Sequence, residues 1–253
     1  MTRTFDQYRH DYRHVAMTRR DGIVELRLHT NGGPLVWGAG PHAELGHCFR
    51  EVGSDRTNRL VILTGTGPDF LCRLDESWVG PMTAARWERI YTDGKRLLQG
   101  LVDIEVPVIA ALRGRATVHA ELGLLADIVV AGRSTVFQDA PHFPYGTVPG
   151  DGVHLVWPHL LGPNRGRYFL LTGQRIDAAR AHDLGVVAEV VDDDAVLERA
   201  WELARLVARQ PDVTLRLTRE AFAEPLRRLL ASGLGHGLAL EGLAAFETWP
   251  TGQ

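Results

Sequence analysis

The hydrophobic period of this chain changes once, near residue 193, and that change limits the architectures open to it. Before it, short apolar runs read as strands. IVELRLH (23–29) alternates like a half-buried strand, RLVILTG (59–65) reads as a more buried one, and VPVIAAL (106–112) as a buried strand ending at Gly114. ELGLLADIVVAG (121–132) passes from helix into strand, and VVAEVV (186–191) is the last strand. Helical spacing falls between them: Pro41 opens HAELGHCFREV, and AARWERIYTDGKRLLQGLV (84–102) is a long amphipathic helix. After the change every segment has helical period: AVLERAWELARLVARQ, VTLRLTREAFAEPLRRLLASG and HGLALEGLAAFET, with Pro225 expected at a kink or a first turn. Strands early and helices late predict an α/β core over residues 1–192 and a C-terminal helical region over 193–253.

Charge and motif content exclude several function classes. A formal charge of -3 gives no bulk attraction to nucleic acid or an anionic membrane. No stretch approaches the roughly eighteen uninterrupted apolar residues of a membrane span, and MTRTFDQYRHDYRH lacks the apolar centre of a signal peptide. Only Cys48 and Cys72 occur, with no CxxC, which fits a reducing compartment, so a cytoplasmic location is expected. Of the close histidine pairs His10/His14, His42/His47 and His154/His159, two are spaced by five, off one helical face. HExxH is absent and no metal is expected. GTGPDF follows a strand, but Phe70 stands where a dinucleotide loop has its third glycine; the segment reads as a tight turn, and no cofactor is expected.

The candidate chemistry lies elsewhere. In FQDAPHFPYGTVPGDG (137–152), His142 is flanked by Pro141 and by Phe143-Pro144, which restrict the backbone on both sides. That restriction lowers the entropic cost of holding one catalytic pose, although a lone loop histidine can equally be structural. Asp151 follows Pro149-Gly150 at a helix start, either as N-cap or as an acid tuned by the helix end and by burial. RGRATVHAELG (113–123) leaves a buried strand and enters a helix at about His119, so backbone donors and the imidazole could hold an oxyanion; Glu121 follows in the first turn. Trp37, among glycines and a proline in GGPLVWGAG, carries a donor-only indole N–H. Glu241 projects from a small, apolar helical face, and a buried acid there needs a partner such as histidine.

With those positions in view, VPVIAALRG, ADIVVAG, FQDAPHFPYGTVPGDG and LTGQRIDAARAHDLGVVAEVV are similar to stretches of the crotonase (enoyl-CoA hydratase/isomerase) superfamily. LVILTGTGP, PHFP, VPGDG, VWPH and NRGRYFLLTGQ resemble its 6-oxocamphor hydrolase-like β-diketone hydrolases. The resemblance implies a spiral of ββα units with a C-terminal helical trimerisation region, hence a homotrimer or homohexamer. It also implies hydrolysis of a carbon–carbon bond in a cyclic 1,3-diketone, with no cofactor and no metal. Carried residue by residue, it implies catalytic roles for His142, Asp151, Glu241 and His119, with Glu241 orienting His142, and a carbonyl contact for Trp37. Leu74, Val118, Trp78 and Val79 would wall the substrate site. Phe70-Leu71-Cys72-Arg73-Leu74-Asp75 lacks the hydratases' Ala-Gly pair, and His142 replaces their second glutamate while Glu121 keeps the first. Lys95 is the only lysine for nucleotide phosphates. The alternatives are a CoA-thioester enzyme of the same superfamily and a non-catalytic oligomeric or RNA-associated relative.

Overall fold

The computed structural model describes residues 3–78 and 80–249. Its main sheet takes its strands in chain order: β1 (Val15–Arg20), β2 (Ile23–Leu28), β3 (Leu60–Gly65), β4 (Val108–Leu112), β5 (Ile128–Gly132) and β6 (Glu189–Val191). β1 and β2 form an antiparallel hairpin whose turn is Asp21-Gly22, both at positive φ, the arrangement a two-residue turn needs to match strand twist. From β2 onward each strand lies parallel to the one before, in registers Ile23↔Leu60, Val61↔Val108 and Ile109↔Ile128. Each parallel step requires a crossover. Two crossovers are the long helices α1 (Ala39–Ser54) and α2 (Ala84–Val102), so the chain advances in a spiral.

Both sheet faces are covered. That is why β2, with an alternating sequence, is buried at nearly every position instead of every second one. One face packs α1 and α2 through Leu45, Phe49, Leu97 and Leu101; the other carries α5 (Val196–Val207) through Ala200, Leu203 and Ala204. Asp212–Thr248 form one continuous helix, α6, which runs through Pro225 where a kink or a first turn was expected. By length and composition α6 could cross a membrane, yet it is a core helix here, burying Leu230, Leu234 and Leu238. Its fully buried Arg219 pairs with Asp127 at 2.7 Å and donates to the carbonyls of Leu101, Val102 and Ile104, fastening α6 to the end of α2. Breaking such a buried pair from one side costs about 3–5 kcal/mol.

Two short sheets position the site. Val36–Trp37 pairs with Arg73–Leu74, setting Trp37 opposite Leu74. Arg115–Ala116 lies beside Val136–Phe137, which lays the segment after Ala116 alongside the segment after Phe137.

Candidate active site

The loop from Phe137 to Gly152 is tied down by backbone hydrogen bonds. Gln138 and Ala140 donate backbone bonds to Ala116 and Thr117, and the His142 carbonyl accepts from Tyr145 and Thr147 across the short turn Phe143–Tyr145. His142 is consequently buried, and its ring is gripped from both sides. Nδ1 donates to Asp139 Oδ1 at 2.6 Å, and Nε2 faces Asp151 Oδ2 at 3.3 Å. The partner expected for the ring was Glu241. Its Oε1 lies 3.9 Å from Nε2, beyond hydrogen-bond reach, and Asp139 holds the opposite nitrogen.

A second histidine–carboxylate pair stands beside the first. His119 Nδ1 lies 2.6 Å from Glu121 Oε1 and 3.4 Å from Asp151 Oδ2, so Asp151 sits between the two imidazoles. His119 precedes the helical turn α3 (Glu121–Leu124) instead of opening a helix, and its φ of 47° is left-handed, a conformation that costs a non-glycine residue about 1–3 kcal/mol and recurs at functional sites. Asp151 likewise stands one residue before the N-cap: α4 (Val153–Leu161) is capped by Gly152 at φ 119°. Its carboxylate faces the two histidines, with the Val153 backbone N–H beside it.

Burial and charge divide the protonation states. Burial alone would raise the Asp151 carboxyl; His142 and then His119 outweigh it and hold Asp151 below the usual range. Burial opposes charge on His142, yet Asp151 and Asp139 push its pKa well up, and Glu121 with Asp151 raises His119 in the same way. Glu241 goes the other way: burial, then the neighbouring Asp151, raise it well above an ordinary carboxyl. Burial raises Glu121 too. These directions favour an imidazolium–carboxylate pair at His142–Asp151 and the protonated form of Glu241.

Glu241 reaches the site because α6 meets the loop backbone to backbone. A Cβ on Gly150 would fall 2.1 Å from the Gly237 carbonyl oxygen, and one on Gly237 would fall 2.4 Å from that of Gly150. Trp37 packs its ring on that of His119, centroids 4.0 Å apart, and its buried Nε1 has no protein partner among the described residues. A buried indole N–H without an acceptor is poised for a ligand.

These groups line a cavity of about 630 Å³. Leu74, Trp78 and Val118 line it; Val79 lies outside the described residues. Trp87 stands behind the wall, against Trp249. Sequence reading missed Asp139, whose only signal was its place three residues before His142. It also missed His42, a buried cavity residue between Trp37 and Trp78 whose pKa falls to about 3, through burial and then His119. Ligand atoms of His119, Glu121 and Asp151, and of His142, Asp151 and Glu241, lie within 4.8 Å of one another, a spacing at which a metal ion could also be held.

Known proteins are similar to this chain to different degrees. The enoyl-CoA hydratase/isomerase family model matches residues 39–240. A β-diketone hydrolase from the cyanobacterium Anabaena sp. PCC 7120, solved with (S)-3-oxocyclohexyl acetic acid, is 46% identical, with a TM-score of 0.93 over 95% of this chain and 97% of that one. The 1,2-epoxyphenylacetyl-CoA isomerase of Escherichia coli (strain K12) is 34% identical over 189 residues, 72% of this chain and 71% of the relative. An enoyl-CoA hydratase/isomerase from Mycobacterium paratuberculosis, 24% identical over 94% of this chain and 96% of its own, shares the fold with a TM-score of 0.87.

Proposed function

We propose that this chain, which belongs to the enoyl-CoA hydratase/isomerase family and has the crotonase fold, hydrolyses a carbon–carbon bond of a cyclic 1,3-diketone. The observation that carries the reading is Asp151 held between two carboxylate-backed histidines, His142 and His119, at the wall of a largely apolar cavity. The similar diketone hydrolase supports it.

The reaction is a retro-Claisen hydrolysis, and the His142–Asp151 pair serves it as one acid–base unit. The Asp151 carboxylate accepts a proton from water as the water oxygen bonds to one carbonyl carbon. The neutral Glu241 donates a hydrogen bond to the oxyanion of that adduct. Collapse forms the carboxylic acid and breaks the carbon–carbon bond, whose electron pair moves into an enolate. Trp37 Nε1–H and the His119 imidazolium hold the enolate oxygen, and His142 Nε2–H delivers a proton to carbon. Transfer of the Asp151 proton to His142 across their 3.3 Å contact restores the resting site. Water and diketone thus become a keto acid, with no proton lost or gained by the protein.

A CoA-thioester activity is the second reading, favoured by the names of the more distant relatives. Against it, His142 stands in place of the hydratases' second glutamate, and Glu121, the one that remains, lies 2.6 Å from His119 Nδ1. Incubation with crotonyl-CoA and with a bicyclic 1,3-diketone, following loss of the diketone ultraviolet band, separates them. Turnover of the thioester alone would sink the hydrolase reading. A homotrimer or homohexamer is proposed from the exposed Leu240, Leu243 and Phe246 on α6, and a cytoplasmic location from two unpaired cysteines.

A further inference from the structure

Resting on the diketone reading, we infer that the substrate is a diketone carrying an uncharged apolar extension, and that Trp78, Ile90 and Trp249 form the arm that receives it. The acid–base groups occupy only part of the cavity. Leu238, Glu241, Thr248 and Trp249 all line it from α6 and its C-cap, so it follows that helix for ten residues from Leu238 to Thr248, about 15 Å at helical rise. Glu241 and Trp249 stand eight residues apart along that stretch.

Volume points the same way. A cavity of 630 Å³ is of the size that encloses a whole drug-sized ligand, roughly 300–1,000 Å³. An unsubstituted bicyclic diketone has only about ten non-hydrogen atoms. Even if each took the ~30 Å³ that a water molecule takes in the liquid, about half of the cavity would stay unfilled.

The arm's chemistry decides what fills the remainder. Its wall belongs to a separate apolar cluster in which Trp87, Ile90, Ala245 and Trp249 are buried, with Trp78 and Met82 packed on it. Arg86 stiffens that wall from outside: its guanidinium lies over the Trp249 ring and donates to the carbonyls of Trp78 and Pro81. Those bonds turn its charge away from the cavity, and among the described lining residues there is no lysine or arginine. The exposed Glu76 on the lining would repel an anionic tail.

The test is a series of bicyclic 1,3-diketones bearing methyl to butyl groups remote from the carbonyls, with a carboxylate-ended analogue. Each buried methylene should raise kcat/KM about three- to fourfold, and the carboxylate analogue should fall below the parent. Trp249→Ala, or Trp78→Ala if that variant folds poorly, should lower the butyl-to-parent ratio of kcat/KM by about tenfold. Cleavage of the parent with no gain along the series, or preference for the carboxylate, overturns the inference and leaves the diketone reading standing. Cleavage of no diketone at all removes both.

Discussion

His142 Nδ1 lies 2.6 Å from Asp139 Oδ1, both side chains buried, while Nε2 of the same ring faces Asp151 at 3.3 Å. The imidazole is thus oriented by one carboxylate and made reactive beside another. Asp139→Asn should keep the fold and lower kcat by roughly 10²–10⁴, comparable with His142→Ala. It should also move the alkaline limb of the kcat/KM profile to lower pH, because Asp139 is one of the charges that raise His142. A variant with an unmoved profile and near-normal turnover would reduce Asp139 to packing.

Glu241 should behave as a neutral donor. Its pKa is raised on folding, so its contribution to stability is fully present below the unfolded value of about 4.3 and is lost as pH rises through the folded value. Glutamine cannot ionise. The melting temperature of Glu241→Gln relative to the native chain should therefore climb steadily from pH 5 to pH 8. Glutamine also keeps a donor that alanine lacks, so kcat should fall about tenfold in Glu241→Gln and about 10²–10³ in Glu241→Ala. Equal losses would mean that the ionised carboxylate is the working form.

How far the sequence discloses this site depends on the kind of signal each residue leaves. The prolines around His142 restrict backbone torsions and can be read locally, and the loop that holds them is tied down by backbone hydrogen bonds. The helix over 84–102 and the buried strand at 108–112 follow from periodicity strong enough to survive tertiary context. Asp139 leaves no such mark: it is one of two aspartates in a loop, and only the pairing of Val136–Phe137 with Arg115–Ala116 orders that loop around it. His42 was weighed only as a possible metal ligand, because its burial between two tryptophans is a long-range fact. The strand β1 and its hairpin with β2 went unread, because Asp21-Gly22 alone marks the turn. Continuity of α6 through Pro225 reflects burial on both sides of the proline, with Ala223 and Leu230 anchored in the core.

Exhaustive chelation should leave turnover intact. The unit proposed to move protons, His142 with Asp151, consists of protein atoms, taking one proton from water at Asp151 and giving one to carbon from His142. The ligand-like spacing of His142, Asp151 and Glu241 makes the measurement worthwhile. Loss of activity under EDTA with recovery on added zinc would replace the proton-transfer scheme by metal-bound water.

The contact that delivers Glu241 to Asp151 is made of backbone, and it can be tested without touching a catalytic group. A methyl on Gly237 would meet the Gly150 carbonyl at 2.4 Å and the His154 ring at 2.2 Å, and that carbonyl belongs to the turn that presents Asp151. Gly237→Ala must therefore lift α6 from the loop or strain both. Overpacking of this kind costs about 1–3 kcal/mol, visible in the denaturation midpoint. The gain in helix propensity from glycine to alanine, about 1 kcal/mol, offsets part of that and makes a folded variant obtainable. Because Glu241 lies one turn further along α6, on the same side, its carboxyl should recede from His142 and Asp151. The variant should thus lose turnover more than tenfold while its KM changes little. Unchanged turnover in a folded Gly237→Ala protein would show that the distance between Glu241 and the histidine does not govern the rate.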